Sequence, residues 1–172
     1  MKRQKTLTLL LYIILFIIFL LLLLYLIRYF SPRELDDVSP EISCDQNLID
    51  ESEILWIIPL FNNESIADNR EWCNYILSLN KTLGLHGVSH TYKEFLIERN
   101  SDYLNKGVAE FEKCFGFKPI IFKAPQLALL DKNEKMLENE GFGVSGQINQ
   151  LTHKVYHCSN TGKFSNNFIK RF

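Results

Sequence analysis

The first 32 residues contain no acidic side chain, and Thr6 to Ile27 contain no charge of either sign. No C-x-x-C occurs anywhere, and no cysteine precedes Cys44. That removes zinc knuckles and thioredoxin-type redox motifs from consideration. After Arg33 there is no basic residue until Arg70. No internal repeat and no low-complexity linker interrupts the chain. The basic residues of the acid-free stretch are Lys2, Arg3, Lys5 and Arg28; the rest carries 15 basic against 20 acidic residues, a balance of −5 within a total of −1. That acidic balance argues against a nucleic-acid partner. Residues 33–172 are too few for two full domains and too apolar for a disordered tail.

The uncharged run is almost entirely Leu, Ile and Phe. At about 1.5 Å per residue, its 22 residues reach about 33 Å, enough for a hydrocarbon core of about 30 Å. A cleaved signal peptide has a shorter apolar core and a small-residue cleavage site. Tyr29-Phe30-Ser31-Pro32-Arg33 offers no such site, so a retained anchor over residues 1–32 is expected. Tyr25 and Tyr29 suit the interfacial aromatic belt, and Lys2, Arg3 and Lys5 place the N-terminus in the cytoplasm. Residues 33–172 then form a domain outside the cell or in a lumen. The span has no Gly-x-x-x-Gly and no intramembrane charge, hence no helix-pairing or transport signal. Oligomeric state is left open.

Cys44, Cys73, Cys114 and Cys158 all lie in the outer part. An oxidising compartment permits two disulfides in any of three connectivities, and buried thiols are the alternative. Asn63-Glu-Ser and Asn80-Lys-Thr are glycosylation sequons.

The hydrophobic pattern alternates between strands and helices. Pro32–Pro40 is extended, Glu53–Phe61 contains a buried-strand run, and Leu83–His86, Pro119–Phe122, Phe142–Ser145 and Lys154–Tyr156 are further strand candidates. Asp68–Asn80 places Trp72, Tyr75, Ile76 and Leu79 on one helical face, with Asp68 as its expected cap. Asn100–Phe115 is a second helix stopped by Gly116, and Leu129–Glu140 a third ending near Gly141. This predicts an α/β fold with a mainly parallel sheet, open or barrel-like. Active sites of such folds lie at the C-terminal ends of strands.

Three polar clusters fall at such ends: Leu35-Asp36-Asp37-Val38-Ser39-Pro40, Leu85-His86-Gly87-Val88-Ser89-His90 and Phe122-Lys123-Ala124-Pro125-Gln126. Imidazoles at i and i+4 share one face of a helical turn and reach one ion together. A distant carboxylate completes three ligands and leaves an open position for water, as hydrolytic sites require. A second carboxylate, not bound to the metal, then accepts the proton of that water. Each cluster alone is commonplace: paired surface histidines, a solvated acidic turn, a loop. Their joint order is what points to a site.

An early Asp-Asp, an H-x-x-x-H after a middle strand and a later basic-x-Pro resemble the polysaccharide deacetylases of the NodB-homology group. Leu-Asp-Asp-Val-Ser-Pro, Leu-His-Gly-Val-Ser-His and the following Glu94-Phe95 look most like the divergent DUF2334 branch of deacetylase-like proteins. The resemblance spans residues 33–172. It implies a distorted β/α barrel, for which this length is short. It also implies a divalent metal, usually zinc, and hydrolysis of an N-acetyl or other acyl group on a carbohydrate. By position, Asp37, His86 and His90 would bind the metal, and Asp36 would be the general base. Lys123 falls where the family commonly carries arginine to hold that base. A lysine is a point charge without the bidentate fork, which predicts a looser Asp36. The family's late general-acid histidine corresponds to His153 or His157, and His157, after a strand-like stretch, is preferred. No counterpart of the carboxylate that normally tunes this histidine is evident. Gly87 replaces the Ser or Thr of better-known deacetylases.

Aspartate with two histidines suits zinc, and cobalt, manganese and nickel are compatible. Trp56 and Trp72 are expected in the core rather than stacked on sugar, leaving Tyr92 as the exposed ring. The expected activity is a membrane-anchored, metal-dependent carbohydrate deacetylase. A non-catalytic binding or interaction module of the same fold is the alternative, and coincidental clusters in an anchored structural protein a third.

Overall fold

In the computed structural model, residues 2–161 and 165–171 are described. Helix α1 (Lys2–Phe30) runs straight into strand β1 (Arg33–Val38), with only Ser31 and Pro32 between them. Its Thr6–Phe30 portion is strongly apolar, and none of its residues is buried within the rest of the chain. It is long and apolar enough to cross a membrane.

From β1 the chain alternates: α2 (Gln46–Glu51), β2 (Ile54–Ile57), α3 (Arg70–Ser78), β3 (Thr82–His86), α4 (Ser101–Phe115), β4 (Ile121–Lys123), α5 (Asp131–Asn139), β5 (Gly143–Ser145), α6 (Gln147–Thr152), β6 (Lys154–His157) and α7 (Asn166–Ile169). The six strands form one sheet in the order β5-β4-β3-β2-β1-β6. Every pairing is parallel. Strands β1 to β5 are each beside the next in sequence, and the last strand, β6, pairs with the first. A doubly wound sheet would reverse its order at a switch point. This order is that of a barrel interrupted once, between β5 and β6, so the sheet is a curled half-barrel. The expectation of an α/β, distorted and incomplete barrel is met.

Local chemistry accounts for the elements. Asn100 caps α4 by accepting from the Tyr103 N–H, and Gly116 ends it at φ 79°, a left-handed stop that favours glycine. Helix α3 is capped by Asn69, which accepts from the Trp72 N–H; Asp68, the expected cap, sits in a preceding 3-10 turn instead. The α5 pattern begins at Asp131 rather than Leu129, because Leu130 is still extended (ψ 136°). The apolar layer around the sheet contains Leu35, Leu55, Ile57, Leu85, Phe111 and Phe122, all fully buried. The cysteines form two disulfides: Cys73–Cys114 joins α3 to α4, and Cys44–Cys158 joins the loop after β1 to the end of β6.

Candidate metal centre

In a regular strand, neighbouring side chains point to opposite faces. Asp36 and Asp37 escape this rule. The β1–β2 register shifts between Leu35 and Val38, and Asp37 adopts φ 63°. Aspartate tolerates that left-handed conformation better than most residues. The resulting bulge turns both carboxylates toward one cavity of about 360 Å³, which His86, His90, Gln126 and His157 also line.

His86 ends β3, and its Nδ1 lies 3.1 Å from the Lys123 carbonyl oxygen on the neighbouring strand. A carbonyl only accepts, so Nδ1 carries the proton and Nε2 keeps its lone pair for a ligand. Asp37 Oδ1 lies 3.5 Å from His86 Nε2 and 3.0 Å from His90 Nε2. The three ligand atoms sit within 4.8 Å of one another. The two nitrogens and one carboxylate oxygen fit a borderline divalent cation such as zinc.

The two histidines do not share a helical turn, as their spacing predicted. Gly87 (φ 66°) and His90 (φ 58°) fold residues 86–90 into a tight loop, which brings the rings to a centroid distance of 5.0 Å. Glu94, 1% exposed, holds that loop. Its carboxylate accepts from the backbone N–H groups of Val88, Ser89 and His90 at 2.8–3.2 Å, and from the hydroxyls of Ser89 and Tyr103. Burial and the Glu94 hydrogen bond push the Tyr103 phenol above its usual range, which keeps it a donor. Glu94 was visible in the sequence only as part of a resemblance; its structural signature is a buried carboxylate facing a run of otherwise unpaired N–H groups.

Lys123 lies inside the half-barrel, fully buried. Its ammonium donates to Asp36 Oδ1 at 2.7 Å and to Glu34 Oε2 at 3.0 Å. Glu34, also fully buried, accepts from Trp56 Nε1 at 2.8 Å and pairs with His153 Nδ1. Burial opposes the charge on Lys123, but the Asp36 and Glu34 carboxylates outweigh it and raise the ammonium above its usual value. Burial likewise opposes ionisation of Glu34, yet the Lys123 charge and the bonds from His153, Lys123 and Trp56 bring it below the usual 4.5. The expected looseness of Asp36 is therefore not found. A second carboxylate pins the lysine from the other side and replaces the missing fork. Gly84 makes room for this layer: a Cβ there would lie 2.4 Å from the Trp56 ring.

His157 pairs in register with Asp36 across β1 and β6. Its Nδ1 is 3.5 Å from Asp37 Oδ2 and 3.9 Å from Asp36 Oδ2. Burial would lower its pKa; the Asp37 contact and both carboxylate charges overcome that and raise it. Ser159 also donates to Asp37 Oδ2. Burial alone would keep Asp37 neutral, and the hydrogen bonds from His157, His86 and His90 drive it far below the carboxylate range. The structure thus brings Asp36, Asp37, His86, His90, Lys123 and His157 together. It sends His153 to Glu34, away from the cavity. Trp56 is buried and Trp72 packs 6.1 Å from Phe115, while Tyr92 is 80% exposed beside the His90 loop.

No family model matches the chain, and no curated protein matches it. Solved structures that do match include a wild-type CE4 family pseudoenzyme from Bacillus anthracis, at 16% identity and TM-score 0.43 over 56% of this chain and 35% of that chain. A mutant of a CE4 family pseudoenzyme matches at 18% identity and TM-score 0.42, over 53% of this chain and 32% of that chain. This chain spans about a third of the length of those proteins (32% and 35%). The chemistry of the site rests on this chain's own residues.

Proposed function

We propose that this chain is a membrane-anchored, metal-dependent hydrolase of the polysaccharide-deacetylase type, of the divergent DUF2334-like kind. Residues 1–32 are the anchor, with the N-terminus cytoplasmic, and residues 33–172 the outward or lumenal domain. Both disulfides suit an oxidising compartment. The observation that carries the reading is the convergence of Asp37, His86 and His90 with an unliganded carboxylate, Asp36, and an imidazole, His157, around one cavity. The substrate is an acylated amino sugar.

A divalent cation held by Asp37, His86 and His90, zinc by preference, supplies Lewis acidity at an acyl carbonyl. Asp36 accepts the proton of the attacking water; Lys123 occupies its Oδ1 and orients it. His157, on the adjacent strand, donates a proton to the departing amine. Gln126, at φ 53°, lines the same cavity and ties the Lys93 N–H at 2.8 Å.

Elemental analysis of the purified full chain tests the site. The parent carries about one metal per chain, and His86→Ala and His90→Ala lose it; a metal-free parent overturns the proposal. Acetate release from chito-oligosaccharides tests the reaction, with Asp36→Ala slower by about 10²–10⁴-fold. A non-catalytic binding module is the second reading. One observation favours it: Asp36 and Lys123 are both buried and paired with each other, as in a structural ion cluster. Stoichiometric metal with no acyl release from any amino sugar, and saccharide binding unchanged in Asp36→Ala, would select that reading.

A further inference from the structure

Three observations meet where the chain enters the domain. Arg28, in the last turn of α1, donates through Nη1 to the Leu151 carbonyl at 2.7 Å, near the C-terminal end of α6. Leu24 and Arg28 are partly covered, whereas their neighbours along α1 are exposed. The end of the apolar helix therefore rests on α6. Next, α6 turns outward two large apolar side chains three residues apart, Ile148 (77% exposed) and Leu151 (58%). Finally, Arg33 and Lys154 face each other across β1 and β6. Like charges directly opposite destabilise a strand pair. Glu51 partly offsets Arg33 at 3.1 Å, but Lys154 has no carboxylate partner among the described residues. Burial, then Arg33 and Arg28, lower the Lys154 ammonium, so the three cations share one neighbourhood.

We propose that α6 and the trio Arg28, Arg33 and Lys154 form a face seated in the bilayer interface. Ile148 and Leu151 enter the acyl boundary, and the cations bind anionic lipid headgroups. This rests on the reading of α1 as a membrane span. Apolar side chains flanked by basic ones suit that boundary, and an anionic phosphate relieves the Arg33–Lys154 repulsion. Gln150 of the same helix lines the metal-site cavity, so one wall of the site is fixed to the membrane surface.

The full chain, reconstituted in phosphatidylcholine nanodiscs containing lipids brominated on their acyl chains, tests this. Tryptophan is placed singly at Leu22, Ile148 or Tyr92, and quenching is read over the parent's emission. Quenching is expected for Leu22→Trp and Ile148→Trp but not for Tyr92→Trp, whose exposed loop follows the C-terminal end of β3, whereas α1 enters at the N-terminal end of the parallel β1. Quenching of Leu22→Trp with Ile148→Trp as bright as Tyr92→Trp overturns the proposal and leaves the span standing. No quenching of Leu22→Trp overturns the span and the proposal with it. Native mass spectrometry of chain extracted from mixed phosphatidylglycerol and phosphatidylcholine reads the charge component. Retention favours phosphatidylglycerol in the parent and in Lys154→Arg, and falls about fivefold in Lys154→Gln. Equal retention in parent and Lys154→Gln refutes the headgroup role.

Discussion

Glu94 makes more hydrogen bonds than any metal-ligand candidate, yet it touches none of their ring nitrogens; it fixes the loop that carries His90. Residues that orient ligands typically carry a 10–100-fold share of metal affinity. Glu94→Gln replaces an acceptor-only carboxylate with a group bearing two donors, opposite three N–H groups. It should weaken metal binding by about 10–100-fold, read by chelator competition. Position 87 of this loop accommodates only glycine. At φ +66° a side chain is strained, and a Cβ would fall 2.3 Å from Glu94 Oε2 and 2.6 Å from Pro125 Cγ. Gly87→Ala should cost about 1–3 kcal/mol in urea unfolding and displace His90 at the same time. Lys123→Met strands two buried carboxylates and should cost about 3–5 kcal/mol, measured the same way.

At the scale of elements, β1 and β6 act as one device. The bulge in β1 presents two adjacent carboxylates to one cavity, and β6 brings His157 alongside. The Cys44–Cys158 disulfide ties the loop after β1 to the end of β6, between His157 and Ser159, and its closure spans 114 residues of chain. Replacing both cysteines by serine should cost about 2–5 kcal/mol. The loss should be accompanied by slower acyl release, since β6 is an edge strand with only β1 to hold it. Cys73–Cys114 links helices remote from the cavity. Its removal should lower stability comparably while sparing metal content, so the pair of variants separates clamp from scaffold.

For the whole molecule, the sheet interior carries an ion layer where barrels ordinarily pack apolar side chains. That layer makes stability depend on pH. Glu34 ionises more readily folded than unfolded, so its contribution is present above the usual 4.5 and is lost as pH falls through the lowered folded value. Urea midpoints of the parent should therefore drop on acidification below about pH 4.5, and Glu34→Gln, less stable at neutral pH, should show a shallower acid limb. The apolar α1 should keep the full chain in the membrane fraction through alkaline carbonate washing, while a chain lacking residues 2–30 should not sediment with membranes.

The long apolar helix, the alternation of strand and helix, and the polar side chains that gather at the strand ends were legible in the sequence because each rests on a local signal. Those signals are a charge-free run, a hydrophobic period, or polar side chains just after a strand. Most strand boundaries came within a residue or two for the same reason, although the Glu53–Phe61 segment runs four residues past the end of β2. Other features depended on contacts between distant positions. Asp36 and Asp37 reach one cavity only because β1 slips its register against β2. The histidines converge through a left-handed loop rather than a helical turn, since a buried Glu94 rewards that backbone with hydrogen bonds. Lys123 is held between two carboxylates because Glu34, a position periodicity marks merely as strand, meets it together with Asp36. Three cysteine connectivities were open until the fold brought Cys44 to Cys158 and Cys73 to Cys114, and the pairing of β6 with β1 set His157 beside Asp36 while His153 turns to Glu34. A sequence states which groups are available; the tertiary structure decides which share a face, because that requires contacts between residues far apart in the chain, such as Asp37 and Ser159, 122 positions apart.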